Sequence, residues 1–332
     1  MERVIQLKSG DLKVTVSDEK QLDHLLGFAA RANPKRGFLF VSKVLGKHIP
    51  CSPHAMREVY DHIAELVWVD RLMRDPRAGD QYPSSTLVLG MAETATGLGA
   101  GVADSMSRLI SGREEWSGHQ VVYQHTTRHL LPRETLITFD EAHSHAPDQL
   151  VYPPLPHLEK AYFQAERLVL VDDEITSGRT LKQLAEALAK KLSLINQENS
   201  KALEEIVLVS IVSWLSEEQK RSLQDQNEYP LRFISLLEGS FSFDPAPGFS
   251  PVLPGQVSAR QPARDPRVDL GRRGLIFDDQ RSSGQSLSSL SPLLERLDLD
   301  APITVIGTGE FAYQPFLLAE SLQSEGVDVL YQ

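Results

Sequence analysis

Runs of apolar residues alternate with helix-period stretches along most of the chain. "VIQL" and "LKVTV", separated by "KSGD", predict two short strands joined by a glycine turn. Ser17-Asp18 then predicts a helix start, with Leu22, Leu25, Leu26 and Ala29 at helical spacing to about Ala32. "GFLFVSKVLG" (37–46) is strand-like. "SPHAMREVYDHIAELVWVDRLM" is the clearest amphipathic helix: Ser52 is the expected cap, Pro53 stands in the first turn, and Met56, Tyr60, Ile63 and Val67 share one stripe.

Further on, "TLVLG" (86–90), "HQVVYQ" (119–124), "RLVLVD" (167–172) and "EIVLVSIVSW" (205–214) read as strands, with helices between them to about Ile110 and over "TLKQLAEALAKKL". The last strand is apolar enough to be covered on both faces, as in a parallel sheet. The fold class expected is therefore α/β, a mostly parallel sheet with helices on both faces. His125 to Pro156, polar and rich in His and Pro, reads as one long loop.

From Gly239 to Arg267 the periodicity ends in a stretch with six prolines. This predicts a first domain over 1–238, a linker over 239–270 and a smaller C-terminal α/β domain over 271–332. After the linker come "GLIFDD", a helix "SLSSLSPLLERL", the strand "ITVIG", the helix "QPFLLAESLQSEG" and the strand "DVLYQ". This tail parallels part of the first domain. "LVLGMAETATGLGAGVADSM" followed by "VVYQ" matches "TVIGTGEFAYQPFLLAESLQ" followed by "VLYQ", with Gly90/Glu93 and Gly307/Glu310 at one offset. Some 60 residues make a marginal domain, so the tail is expected to dock on the first.

Charge narrows the function. With 34 Lys and Arg against 45 Asp and Glu, the net charge of −11 opposes bulk nucleic-acid binding. A small polyanion remains compatible, since a local nest of amides or a metal ion overrides net charge. One cysteine, Cys51, excludes an internal disulfide and four-cysteine zinc sites; its ordinary role is packing, and a nucleophile would need a low thiol pKa. No apolar run reaches membrane-spanning length and the N-terminus has no signal-peptide core, so a cytoplasmic protein is expected.

The chemistry concentrates in "RLVLVDDEITSGRTL" (167–181). Asp172 and Asp173 are expected at the carboxyl end of a strand, where open α/β sheets bind ligands. The small residues Thr176 to Thr180 then lead into a helix, so backbone amides and the helix dipole form an anion site. Gly178 lets the backbone close round a phosphate without a Cβ in the way. Acceptors beside a phosphate cradle suit a ligand bearing both phosphate and hydroxyls, or a metal ion. No Walker loop occurs, and "GLGAG" (97–101) starts too far past its strand for a dinucleotide fingerprint.

This stretch resembles the phosphoribosyl-pyrophosphate signature of type I phosphoribosyltransferases: four hydrophobics, two acids, a small-residue loop and a helix. The wider chain, with "GFLFVSKVLGKHIPCSP", "FDEAHSHAP" and "GTGEFAYQPF", resembles the orotate-phosphoribosyltransferase-like proteins of tellurium-resistance (ter) gene clusters, in which a TRSP domain follows. The TRSP motif itself is absent, which implies a C-terminal domain cut short.

The resemblance implies a role for each matching residue. Asp172 and Asp173 hold the ribose hydroxyls, directly or through Mg²⁺. Thr176, Ser177, Gly178, Arg179 and Thr180 cradle the 5-phosphate. Ala92, Glu93, Thr94 and Ala95 match the pyrophosphate loop, which in the family often carries a non-proline cis peptide; Glu93 departs from the pattern, since a carboxylate repels pyrophosphate unless Mg²⁺ intervenes. Arg128 or Arg133 is the cation of the mobile lid. The partners implied are phosphoribosyl pyrophosphate and an unidentified nitrogenous base, with a homodimer among the oligomers left open. The implied activity is phosphoribosyl transfer to that base, or the reverse. The alternative is a non-catalytic phosphoribosyl-pyrophosphate sensor in a stress response of the tellurium-resistance type.

Other features have competing readings. Asp172-Asp173 also suit a turn cap. "HSH" (143–145), with His125 and His129, is a candidate metal cluster or a solvated loop. Lys43, Lys47 and His48 reach a phosphate or solubilise a strand edge. "FDDQRSSGQSL" (277–287) copies the signature's outline, with Ser283 and Gly284 in the places of Ser177 and Gly178. The repeat aligns it elsewhere, which favours a structural role.

Overall fold

The computed structural model describes residues 1–33, 36–74, 85–111, 118–140, 148–195, 203–249, 271–277, 296–298 and 301–332. Its centre is an eight-stranded sheet. β11 (Leu231–Pro245), β10 (Glu205–Ser213), β9 (Arg167–Ile175), β5 (Ser85–Gly90) and β6 (Gln120–His125) lie side by side in that order and run parallel. The short β12 (Leu275–Ile276) pairs antiparallel with β6 at one edge. All nine residues of β10 and all six of β5 are buried, so both faces of the sheet are covered. That burial accounts for their continuous apolar sequence. Among the described residues no helix is long and apolar enough to cross a membrane.

The N-terminal hairpin of β1 (Glu2–Leu7) and β2 (Gly10–Val16) forms the other edge. It joins the sheet antiparallel to the far half of β11, from Gly239↔Val16 to Pro245↔Gly10. The linker expected to open at Gly239 thus begins inside a strand. Main-chain pairing to β2 and the packing of Phe241 and Phe243 on Phe38 carry the strand to Pro245, where the first proline of the segment ends it. The proline-rich stretch 250–270 and residues 286–295 of the predicted helix "SLSSLSPLLERL" lie outside the described residues.

The first helix is shorter than its periodicity predicts. α1 (Glu19–Leu25) is capped by Asp18, whose side chain accepts from the amides of Lys20 and Gln21. The chain then turns extended at Leu26 and forms β3 (Leu26–Ala30), antiparallel to β4 (Phe38–Ser42). Tertiary pairing overrides the helical spacing there. The expected loop from His125 to Pro156 likewise contains an antiparallel pair, β7 (Ile137–Asp140) with β8 (Asp148–Val151). Thr138 and Gln149, each one residue from an apolar neighbour, hide the period-2 pattern among polar residues.

α2 (Pro53–Arg74) and α3 (Thr96–Ser111) pack on each other, and the C-terminal α7 (Tyr313–Ser324) lies across both. α4 (Glu159–Phe163), α5 (Arg179–Ile195) and α6 (Glu217–Asp225) precede β9, β10 and β11 respectively. The predicted cap Ser52 pairs its hydroxyl with the side chain of Gln323, and Gln323 Oε1 itself accepts from the His54 amide at 2.8 Å. The C-terminal segment thus caps a helix of the first.

The described residues of that segment share one core with the first domain. β13 (Ile303–Val305) and β14 (Val329–Tyr331) pair in parallel around α7, as β5 and β6 do around α3, so the sequence repeat is also a repeat of strand–helix–strand units. Phe316, fully buried, meets Tyr60 edge-on at 5.2 Å, and Arg57 joins Asp104 to Glu320. Gly46 lies against the Tyr331 ring, and Cys51 pairs with Tyr331 main chain to main chain. Burial pushes the Cys51 thiol up to about 11, which leaves it a packing residue.

Candidate active site

Adjacent parallel strands β5 and β9 end side by side, and the loops that leave them line one cavity of about 710 Å³. β9 runs on through the acid pair to Ile175, so Asp172, Asp173 and Glu174 are the last polar residues of a strand, half buried at its mouth. The Asp173 amide donates to Asp172 Oδ1 at 3.0 Å. Thr176 and Ser177 come next. Gly178 then turns with φ +66, a conformation that costs an L side chain about 1–2 kcal/mol. A Cβ there would stand 2.9 Å from Leu223 Cδ1. α5 starts at Arg179, so its first-turn amides have no partner within the helix.

The β5–α3 loop forms the facing wall. Gly90 has no space for a side chain, since a Cβ would lie 2.5 Å from the Ala95 carbonyl oxygen. The Ala92–Glu93 peptide bond is cis. Its neighbours fix it: Ala92 N–H donates to Thr126 Oγ1 at 2.8 Å, Gln149 Nε2 donates to the Ala92 carbonyl at 2.9 Å, and Thr126 Oγ1 donates to Gln149 Oε1 at 2.7 Å. Thr94 Oγ1 donates to Asp173 Oδ1 at 2.9 Å and joins the two walls.

Ala92, Glu93, Thr94, Arg128, Asp172, Asp173, Thr176, Ser177, Gly178, Arg179 and Thr180 all line this cavity. Ala95 does not. It is fully buried, with its amide bonded to Met91 O and its carbonyl to the Gly99 amide, so it closes the turn behind the wall. Of the two lid candidates Arg128 lines the cavity, whereas Arg133 is exposed elsewhere. Thr176 turns its hydroxyl to Glu174 Oε1 at 2.9 Å.

Lys43 and Lys47 point away, to the carbonyls of Asp23 and Gly309, while His48 lines the cavity. His125 is buried with Nδ1 2.8 Å from the Thr126 carbonyl oxygen. "HSH" and the second signature beyond Phe277 lie outside the described residues, and among those described no metal-holding cluster of three or more His, Cys, Asp or Glu occurs.

Sequence reasoning missed one wall. Arg31, Asn33, Arg36, Leu39 and Phe40, from the β3–β4 hairpin, also line the cavity. Arg36 donates to Glu174 Oε1 at 2.7 Å and lies 4.8 Å from the centre of the Phe38 ring; Phe40 stacks on Trp214 at 4.6 Å. Burial raises the Glu174 carboxyl above its ordinary value, against the opposing charge of Arg36. The basic "RANPKRG" between two apolar runs was the available signal, hidden by extending the first helix to Ala32.

Residues 25–240 match the model of a family described as "Phosphoribosyl transferase". No curated protein matches the chain. Among solved structures it is similar to an adenine phosphoribosyl transferase from Trypanosoma brucei (14% identity, covering 70% of this chain and 86% of that one, TM-score 0.38). It is also similar to an orotate phosphoribosyltransferase from Aeropyrum pernix (14%, 65% and 90%, TM-score 0.30). A third is a hypoxanthine phosphoribosyltransferase from Staphylococcus aureus (11%, 54% and 73%, TM-score 0.27).

Proposed function

Because the chain belongs to the phosphoribosyl transferase family, we propose that it moves a 5-phosphoribosyl group between phosphoribosyl pyrophosphate and a nitrogenous base. The observation that carries this reading is the joined pair of walls: Asp172 and Asp173 opening into Gly178 and α5 on one side, the Ala92–Glu93 turn on the other, linked by Thr94.

In this reading the amides from Thr176 to Thr180, at the start of α5, hold the 5-phosphate. Asp172 and Asp173 accept from the ribose hydroxyls and oppose the positive charge that develops at the anomeric carbon. Arg128 faces the pyrophosphate, and the turn at Ala92 sets where that group lies. Two adjacent carboxylates, with no third protein ligand among the described residues, suit Mg²⁺, which takes its other ligands from substrate oxygens and water. When bound, Mg²⁺ supplies charge neutralisation to the leaving pyrophosphate.

Titration calorimetry with phosphoribosyl pyrophosphate and Mg²⁺, followed by a pyrophosphate-release screen across bases, tests the proposal. Binding should weaken more than about hundredfold in Asp172→Asn/Asp173→Asn, since hydrogen bonds involving charged groups contribute about 1.5–3 kcal/mol each. Unchanged affinity in that variant ends the reading. Glu93 in the pyrophosphate wall favours a second one, a sensor; binding without release with any base would decide for it.

A further inference from the structure

Glu310 is the tail's counterpart of Glu93 in the repeated unit, yet Glu93 is exposed in the cavity whereas Glu310 is buried. It lies in the turn between β13 and α7 with its side chain fully buried. Thr127 Oγ1 lies 2.7 and 2.8 Å from its two oxygens and donates its one proton to the carboxylate. Arg272 Nε donates at 2.6 Å, and the Arg128 amide donates at 3.3 Å. His129 Nε2 lies 4.0 Å away. Three of these four groups belong to the segment that leaves β6 at the edge of the cavity.

That segment sets the site. Thr126, beside Thr127, accepts from the Ala92 amide and donates to Gln149, which holds the Ala92 carbonyl. Thr127 and Leu150 exchange two main-chain hydrogen bonds at 2.9 Å, which fixes Gln149. Arg128 is itself a cavity residue. A buried carboxylate is a poor way to dock a tail, because packed apolar residues of similar volume are often as stable or more so. Here it neutralises Arg272 and satisfies two donors of one short loop.

From this geometry we infer that Glu310 is a positioning residue of the site: it holds residues 126–128 from behind, and through them the Ala92–Glu93 turn and Arg128. The C-terminal segment is then a structural part of the substrate pocket. Asp172, Asp173 and the 176–180 loop stand on the other wall, so Glu310 acts on the pyrophosphate side.

The test is amide hydrogen exchange on the full-length, ligand-free protein, comparing Glu310→Gln with wild type. Exchange should rise in the segments 124–131 and 90–97, and less in 172–180, which Thr94 ties to the loop. Glu320→Gln, which breaks a tail contact of the same kind at Arg57, is the control and should leave 90–97 unchanged. Unaltered exchange in 90–97 for Glu310→Gln, or an equal rise in both variants, overturns the inference. Thr127→Val breaks the same link from the loop side and decides the matter if Glu310→Gln does not fold. Affinity adds a second readout that rests on the proposed function: phosphoribosyl pyrophosphate with Mg²⁺ should bind about tenfold more weakly to Glu310→Gln, within the range a displaced positioning group costs. If wild type itself gives no binding heat, the proposed function falls and the exchange result alone decides Glu310.

Discussion

Thr94 donates its hydroxyl to Asp173 across the cavity, 2.9 Å from Oγ1 to Oδ1, and so couples the loop after β5 to the acids that end β9. The bond orients Asp173 within the cavity that both residues line. Replacing Thr94 by Val keeps the shape and removes the donor. A hydrogen bond of this kind to a charged group contributes about 1.5–3 kcal/mol, so phosphoribosyl pyrophosphate should bind at least about tenfold more weakly, with Thr94→Ser near wild type. Calorimetry checks this; equal affinity for Thr94→Val would show that the two walls are not coupled through this bond.

Gly178 is restricted both by its backbone conformation and by its neighbour. Its φ of +66 and the 2.9 Å approach of Leu223 to a built Cβ both act against alanine. Gly178→Ala should cost about 1–2 kcal/mol of stability from the backbone alone. It should weaken binding of the phosphorylated sugar more than it lowers the melting temperature, because the loop relaxes by moving its amides. A variant with native affinity would show that the loop tolerates a Cβ.

The legible parts of the sequence were those that local pattern dictates. The continuous aliphatics of β9 and β10 announced strands covered on both faces, and the order of strand, turn and helix from Arg167 through Gly178 to Arg179 was readable because the three are consecutive there. Ala95 lies behind the wall although it directly follows Thr94, a step of one residue that no sequence pattern marks. Arg36 and Phe40 were missed for a different reason. They reach the cavity through the pairing of β3 with β4 and through Glu174, contacts made across 138 residues of sequence in the case of Arg36 and Glu174, and no local period encodes such contacts. Glu310 belongs to the same class. Its offset from Gly307 was visible, but not that Thr127 and Arg272 would close on it.

The docking of the tail has a thermodynamic consequence. Phe316 packs against Tyr60, Tyr313 and Tyr331, so its ring belongs to the core of the first domain as much as to the tail. The tail should therefore unfold with the rest in a single calorimetric transition. Phe316→Ala should cost about 3–5 kcal/mol, the usual range for emptying a buried aromatic site. Two separate transitions in the wild-type scan would show that the tail folds independently.

The acid limb of stability gives a check on Glu310 that needs no ligand. Burial alone raises its carboxyl, but nearby His125 and Arg272, the Thr127 hydroxyl and His129 outweigh it and hold the group below its ordinary 4.5. A carboxyl depressed in the folded state binds its proton more readily when unfolded. Its contribution is thus complete above about pH 4.5 and declines as pH falls through the lower folded value. Wild type should accordingly exceed Glu310→Gln in urea-unfolding free energy at pH 7, and the gap should narrow as the pH is taken below 4.5. Other carboxylates titrate in both proteins and largely cancel in the difference. A gap that stays constant, or widens, on acidification would mean that Glu310 is not held as an anion by these partners.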